Sequence, residues 1–508
     1  MPMEIMELDT QGNAGNGSSP SWMEKVKLKI LREAEGVTLS IPPYFSRFDA
    51  IGNTDYPSIF KPRRKPTQQP QNHTGTSASR EPAQSMGRSI VVAAVGPYHG
   101  PSDMAYVQPQ PPLITHAKKC AIVKFLAGED FNLDTAGFLG WALQQEARVR
   151  SCYERDSFTM GSEELAEMLL LDGCLLLFAV FLLRSSVRED QRPAQLTRDA
   201  KHRKVFVYLS ADMCLHMKQT RLDLLMLGNQ IPFFVLTELH RLLRNTFFHG
   251  IQYSIEELAL SCFDDIHPTR SGFIKQDEAA GTTLVHHLLH LFHCSRVPKG
   301  NHGLDNTSFL RREPDSHLPC ATWLEESHTS FSKQAAPGSS SSLHIVFQRK
   351  MFRVGGVMHV PAQHIHGYSE SVFRNLIAFE QSHQRCGLGV TAYSMCMARL
   401  LQTEDDAKLL RKSGILAHTH KTDKEIVDLF SGLADEYRNT FYSKDLLDLC
   451  EDVAAYHHSA AAKAVKWVGQ QCFPRQSVTF FVIFGALISV ATLVNTGYSV
   501  YRFYHPVK

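Results

Sequence analysis

Between Arg475 and Arg502 the chain carries no charged residue, and no other stretch limits its possible folds so strongly. The segment reads Gln476-SVTFFVIFGALISVATLVNTGYSV-Tyr501. As a helix, Val478 to Ser499 extends about 33 Å at 1.5 Å per residue, which matches the hydrocarbon thickness of a bilayer. Tyr498, Tyr501 and Tyr504 gather at one end, where aromatic side chains favour the membrane interface. Arg475 and Arg502 bracket the span, and their long side chains can reach the headgroups. The competing expectation is a buried amphipathic helix, because Ser489, Thr492, Asn495 and Thr496 make the second half fairly polar. Soluble helices rarely run this long without a charge, so the sequence predicts a transmembrane anchor over 476–501, followed by a short tail, 502–508. A span this close to the end inserts after translation and leaves the bulk of the chain in the cytosol.

The rest of the chain is a folding protein rather than a disordered one. Of 508 residues 43% are apolar and 20% are charged, enough for a large core in one domain or two tightly joined ones. Lys plus Arg number 53 against 51 Asp plus Glu, so no global field draws the chain to nucleic acid, and no nucleic-acid partner is expected. Met1 to Pro20 has no apolar run of the kind a signal peptide needs. The eleven cysteines lack a CxxC pair or regular spacing, and are expected to be reduced.

Local patterns predict a mainly α-helical domain with a minor β element. A tail and a basic helix candidate, Trp22 to Glu35, occupy 1–36. The large domain covers 37–472, with loose segments at 61–90, 295–317 and 335–342. Glu163 to Arg184 is apolar enough to be buried on all sides, although Asp172 and Gly173 interrupt it. Pro232 marks a kink or a helix start. Leu343 to Val360 alternates around Gly355-Gly356 and predicts a small hairpin. Thr403, followed by Glu404-Asp405-Asp406, predicts a helix start, and Gly414 its end.

The search for chemistry yields little. There is no phosphate-binding GxxxxGK[ST], no GxGxxG after a strand, no GxSxG elbow and no kinase signature set, so no catalytic residue is assigned and no cofactor is expected. The best metal candidates are His286, His290 and His293, at i, i+4 and i+7 on one predicted helix face. The spacing is like HExxH, but His287 stands where the Glu base belongs. Local capping and packing by these histidines is the competing expectation. Glu146 and Arg150, at i, i+4, are expected to pair as an ordinary helix ion pair. Asp172 inside its apolar run must be paired or neutral, and is expected to cap a helix or bind Arg148 or Arg150.

Several blocks taken together resemble the plant-specific family called domain of unknown function 247. They are Val95-GPYHG, Glu146 through Arg148 to Cys152-Tyr153, Glu167-MLLLDGC-Leu175, Asp223-LLMLGNQIPFFVL-Leu239 (with Thr237-Glu238 between), Leu318-PCATWLEES-His328, Phe373-RNLIAFE-Gln381 and the terminal Tyr504-His505-Pro506. The chain departs from the family pattern at Gly228, where a Glu is usual, at Ala117 before Lys118, where an acid is usual, and at His328, where a glycine is usual. The resemblance implies a mainly helical protein, single-pass at its C-terminus in a membrane (the plasma membrane), with no catalytic residue to carry over. It also implies a recognition, signalling or scaffold role with the lipid bilayer and a protein as partners, of the kind some grass members are thought to play in self-incompatibility. The alternative is a metal-dependent enzyme built on the His286/His290/His293 face.

Overall fold

A helix that is apolar on every side has to be buried, and the chain builds its first unit around one. The computed structural model describes residues 21–34, 91–99, 112–129, 131–154, 158–183, 200–249, 251, 253–263, 285–297, 309–310, 318–333, 343–349, 355–383, 386–417, 421–436, 442–459 and 476–504. The expected loose segments 61–90 and 335–342 lie outside these, as does the tail 1–20. The chain divides into two units, one made of residues 1–267 with 277–292, the other of 268–276 with 293–508.

In the first unit, α1 (Trp22–Ala34) is followed by a 3₁₀ turn at Pro97–His99, then α2 (His116–Leu126), α3 (Thr135–Gln144), α4 (Glu146–Ser151) and α5 (Ser162–Leu183). Next come α6 (Ala200–Leu215), α7 (Met217–Asp223), α8 (Phe233–Leu243) and α9 (Ile255–Ser261), and α10 (Leu288–Cys294) begins at the unit's end. Every residue of α5 from Leu169 to Leu183 is buried, against α2, α3, α6 and α8. Asp172 and Gly173 do not interrupt it. At Gly173 a Cβ would stand 2.3 Å from Leu239 Cδ1, so the missing side chain is what lets α8 cross closely. Near the C-terminal end of α5, Phe178 and Phe181 join Phe125, Phe131, Phe206, Phe247 and Phe248 in one aromatic cluster, with the Phe181 and Phe247 rings stacked at 4.1 Å. Arg221 donates to the terminal Leu183 carbonyl at 2.8 Å, placing a cation where the helix dipole favours one. Pro232 starts a helix, as its fixed φ predicts, with α8 beginning at Phe233.

The second unit contains a short pair β1 (Phe309–Leu310) within the predicted loose segment 295–317, then α11 (Ala321–Glu326), β2 (Thr329–Lys333), β3 (Val346–Arg349), β4 (Gly356–Val360) and β5 (Gln363–His364). The predicted hairpin is β3–β4, paired antiparallel with Arg349 opposite Gly356, and β2 adds to β4 in parallel. Helices α12 (Ser369–Ser382), α13 (Gly389–Leu400) and α14 (Glu404–Lys412) follow, then β6 (Leu416–Ala417), α15 (Asp423–Glu436), β7 (Tyr442–Ser443) and α16 (Lys444–His458). β1 pairs with β7 and β5 with β6. Thr403 caps α14 in a capping box with Asp406, and Gly414 closes it at φ 72°. The fold is therefore mainly helical with a small three-stranded sheet.

The last element, α17 (Gln476–Tyr504), is 29 residues long. Its residues from Ile483 to Arg502 are all exposed, Leu493 at 72% and Phe484 at 66%. Ser489, Thr492 and Thr496 each turn their hydroxyl back to a carbonyl four residues earlier, at 2.8–2.9 Å.

Candidate functional site

Four of the blocks that carry the family resemblance, those at 95–100, 146–153, 167–175 and 223–239, supply residues to one buried polar brace in the first unit. Its centre is the extended segment Val91–Gly96, whose backbone is gripped by three side chains. Asp223 Oδ2 accepts from the Val92 and Ala93 amides at 2.7 and 3.1 Å. Asn229 accepts from the Val95 amide at 2.6 Å and donates to the Ala93 carbonyl at 2.9 Å. Asp172 Oδ2 accepts from the Gly96 amide at 2.8 Å, and its other oxygen binds the Lys119 ammonium. This replaces the expected pairing of Asp172 with Arg148 or Arg150. Arg148 lies over the Phe234 ring at 3.9 Å, while Arg150 binds Glu146 at 2.7 Å, as its spacing predicts, and donates to the Met160 carbonyl.

Gly96 has φ 82°, and a Cβ there would stand 2.6 Å from the Gln230 carbonyl oxygen. The Tyr153 hydroxyl donates to that same oxygen at 3.3 Å. Gln230 extends the brace onward: its amide donates to the Leu224 and Met226 carbonyls and accepts from the Leu289 amide at the start of α10. Burial pushes the Asp223 carboxyl up to about 6, against the opposing bonds from Gln219, Ala93 and Val92. Each oxygen of Asp172 and Asp223 is already committed to a donor. The arrangement holds backbone in place, and its chemistry is that of a structural clamp.

The histidine run is placed differently from its predicted helix face. α10 begins at Leu288, so His286 precedes the helix. The reason is local capping: His287 Nδ1 accepts from the His290 amide at 3.2 Å, and His290 Nδ1 accepts from the His286 amide at 3.1 Å. The His286 and His290 rings stack at 4.7 Å. His293, in the second unit, is engaged elsewhere. Its Nε2 lies 2.7 Å from Glu380 Oε1, with both side chains buried. Glu380 also accepts from the Val390 and Thr391 amides and the Thr391 hydroxyl, so it caps the first turn of α13. Burial alone would depress the His293 pKa, but bonds to Cys294 and Glu380 outweigh it and raise it to about 9.

Asp406 acts similarly on two helices. It accepts from Thr403 and Gln402 at the start of α14 and from the Thr322 amide at the start of α11. Burial would push its carboxyl up, but the bonds from Thr322 and Thr403 hold it below the usual carboxylate range. Among the described residues, one group of metal-ligating side chains converges: Glu33, His116 and Cys120, brought together by α1 and α2. No motif announces it; only the i, i+4 spacing of His116 and Cys120 was legible. None of the ten cysteines among the described residues is in a disulfide.

What these features define is a mainly helical protein of two internally braced units, with an apolar helix at its C-terminal end. The chain belongs to the plant family domain of unknown function 247, described as a plant protein of unknown function, whose model matches residues 91–491. It is similar to the UPF0481 protein At3g47200 of Arabidopsis thaliana, at 21% identity over 373 residues, 68% of either chain. It is also similar to the Putative UPF0481 protein At3g02645 of the same plant, at 30% identity over 105 residues, 20% of this chain and 19% of that one. No solved structure matches the chain. Helix α1 lies before the span matched by the family model.

Proposed function

We propose that this protein is a membrane-anchored recognition or signalling scaffold, single-pass at its C-terminus, with both helical units on the cytosolic side, and that its working partners are the lipid bilayer and another protein. The observation that carries the reading is α17. It is long enough to cross a bilayer, its described side chains are exposed, and the Ser489, Thr492 and Thr496 hydroxyls are bonded within the helix. Among the described residues the other apolar helix of sufficient length, α5, is buried in its own unit and is taken up by the core. The plasma membrane and a self-incompatibility-type determinant are the particular case that the family resemblance suggests.

The test is fractionation of plant cells expressing the full chain and a version ending before Arg475. The full chain is expected in the membrane pellet, resistant to alkaline extraction, and the shortened one in the supernatant. A shortened chain that still pellets defeats the anchor reading. An N-terminal tag cleaved by protease on intact cells reverses the orientation. Proximity labelling from the same tag identifies the membrane and the neighbouring protein.

A further inference from the structure

We propose that Glu33, His116 and Cys120 form a binding site for a zinc-class divalent ion, which clasps α1 to α2. His116 and Cys120 lie one turn apart on α2, and this spacing puts His116 Nδ1 3.7 Å from Cys120 Sγ. Glu33, from the last turn of α1, brings its Oε2 to 3.8 Å from the same sulfur and 2.5 Å from the same nitrogen. Metal–sulfur and metal–nitrogen bonds of about 2.3 and 2.0 Å at a tetrahedral angle require ligand atoms roughly 3.5 Å apart. Both distances to sulfur are close to this. The carboxylate and imidazole have to open by somewhat under 1 Å, and both side chains are partly exposed, which leaves them room to move.

The donor set chooses the ion. A thiolate, an imidazole and one carboxylate suit zinc and its near neighbours, whereas magnesium and calcium prefer all-oxygen sites. Three protein ligands leave the fourth position to water, reached from the exposed His116 side. The local charge also fits. Glu33 and Glu167 carry two negative charges beside the single Lys29 ammonium, which binds Glu167 at 2.6 Å. Loss of the Cys120 proton on binding adds a third negative charge, and a divalent ion then brings the cluster to neutrality. His116 Nδ1 now donates to Glu33 at 2.5 Å, so a metal bound there takes the place of that proton and is shared by the same two atoms.

The experiment is a cobalt titration of the full-length, metal-stripped protein, followed by competition with zinc and with magnesium. One equivalent of cobalt is expected to give a thiolate charge-transfer band and the visible bands of a tetrahedral ion. Zinc should remove both and magnesium neither. Cys120→Ala should abolish the charge-transfer band, and Glu33→Gln, a near-isosteric change at a partly exposed position, should weaken binding by at least about tenfold. Trypsin cleavage within α1, at Lys25, Lys27, Lys29 or Arg32, should slow when zinc is added to the wild type and not to Glu33→Gln. Absence of a thiolate band, equal affinity in Cys120→Ala, or zinc-independent cleavage of α1 overturns the proposal.

Discussion

Asp223 accepts two backbone amides and the Gln219 side chain in a fully buried place. Its folded-state pKa, about 6, stands above the ordinary 3.8, so the native state holds a proton that the unfolded chain has given up. The stability it contributes is full below about pH 3.8 and is lost as pH rises through about 6. Asp223→Asn keeps an oxygen for the two amides and cannot ionise. Denaturant unfolding across this pH range should therefore move in the variant's favour relative to wild type as pH rises, and a difference flat with pH would count against the assignment. Asp223→Ala orphans the buried Val92 and Ala93 amides and should cost about 1–3 kcal/mol at any pH. His328 offers the opposite kind of test. It holds φ 63°, a left-handed conformation that favours glycine, and its carbonyl accepts from Gly356. Relief of left-handed strain, about 1–2 kcal/mol, exceeds the added entropy of an unfolded glycine, about 0.5–1 kcal/mol. His328→Gly should thus stabilise the protein slightly in the same denaturation assay; a loss of stability would show that the ring packs to some purpose.

Among the elements, α14 separates a local cap from a shared one. Thr403→Ala removes one side-chain cap and should cost about 1 kcal/mol. Asp406→Ala also leaves the Thr322 amide at the start of α11 without its acceptor, and should cost roughly 2–3 kcal/mol. Thermal unfolding of both variants checks the order, and equal losses would mean that the link to α11 contributes nothing. This contrast also shows what could be read in advance. The start of α14, its glycine stop, the start of α8 after Pro232, the β3–β4 hairpin and the burial of α5 all follow from neighbours within a few residues, where turn chemistry and periodicity operate. The partners of Asp172 lie 53 and 76 residues away at Lys119 and Gly96, and Glu33 is 83 residues from His116. Spacing along the chain holds no trace of such meetings. The histidine run misleads for a related reason: His287 looks like a helix residue by periodicity, but its ring serves as the cap that starts α10 one residue later.

For the whole molecule the deciding variable is where α17 resides. Lysines placed at Leu487 and Leu493, near the middle of the span, should each oppose insertion by about 2.5–3.5 kcal/mol and move the full-length protein from the membrane pellet to the supernatant. The same substitutions would leave the distribution unchanged if membrane association came from the helical units alone. The reach of the buried brace has a further consequence, in the order of synthesis. The Val92–Gly96 segment leaves the ribosome early, but Asp223 and Asn229, its anchors, lie 130 to 136 residues further on. Until those residues emerge, the Val92, Ala93 and Val95 amides lack their native acceptors, so the first unit cannot close its edge during the first half of translation. Its apolar helix α5 is made before the brace can shut over it, while α17 is made last of all. A nascent chain of this protein therefore exposes the apolar faces of α5 and α17 at two different times, separated by the synthesis of the rest of the second unit.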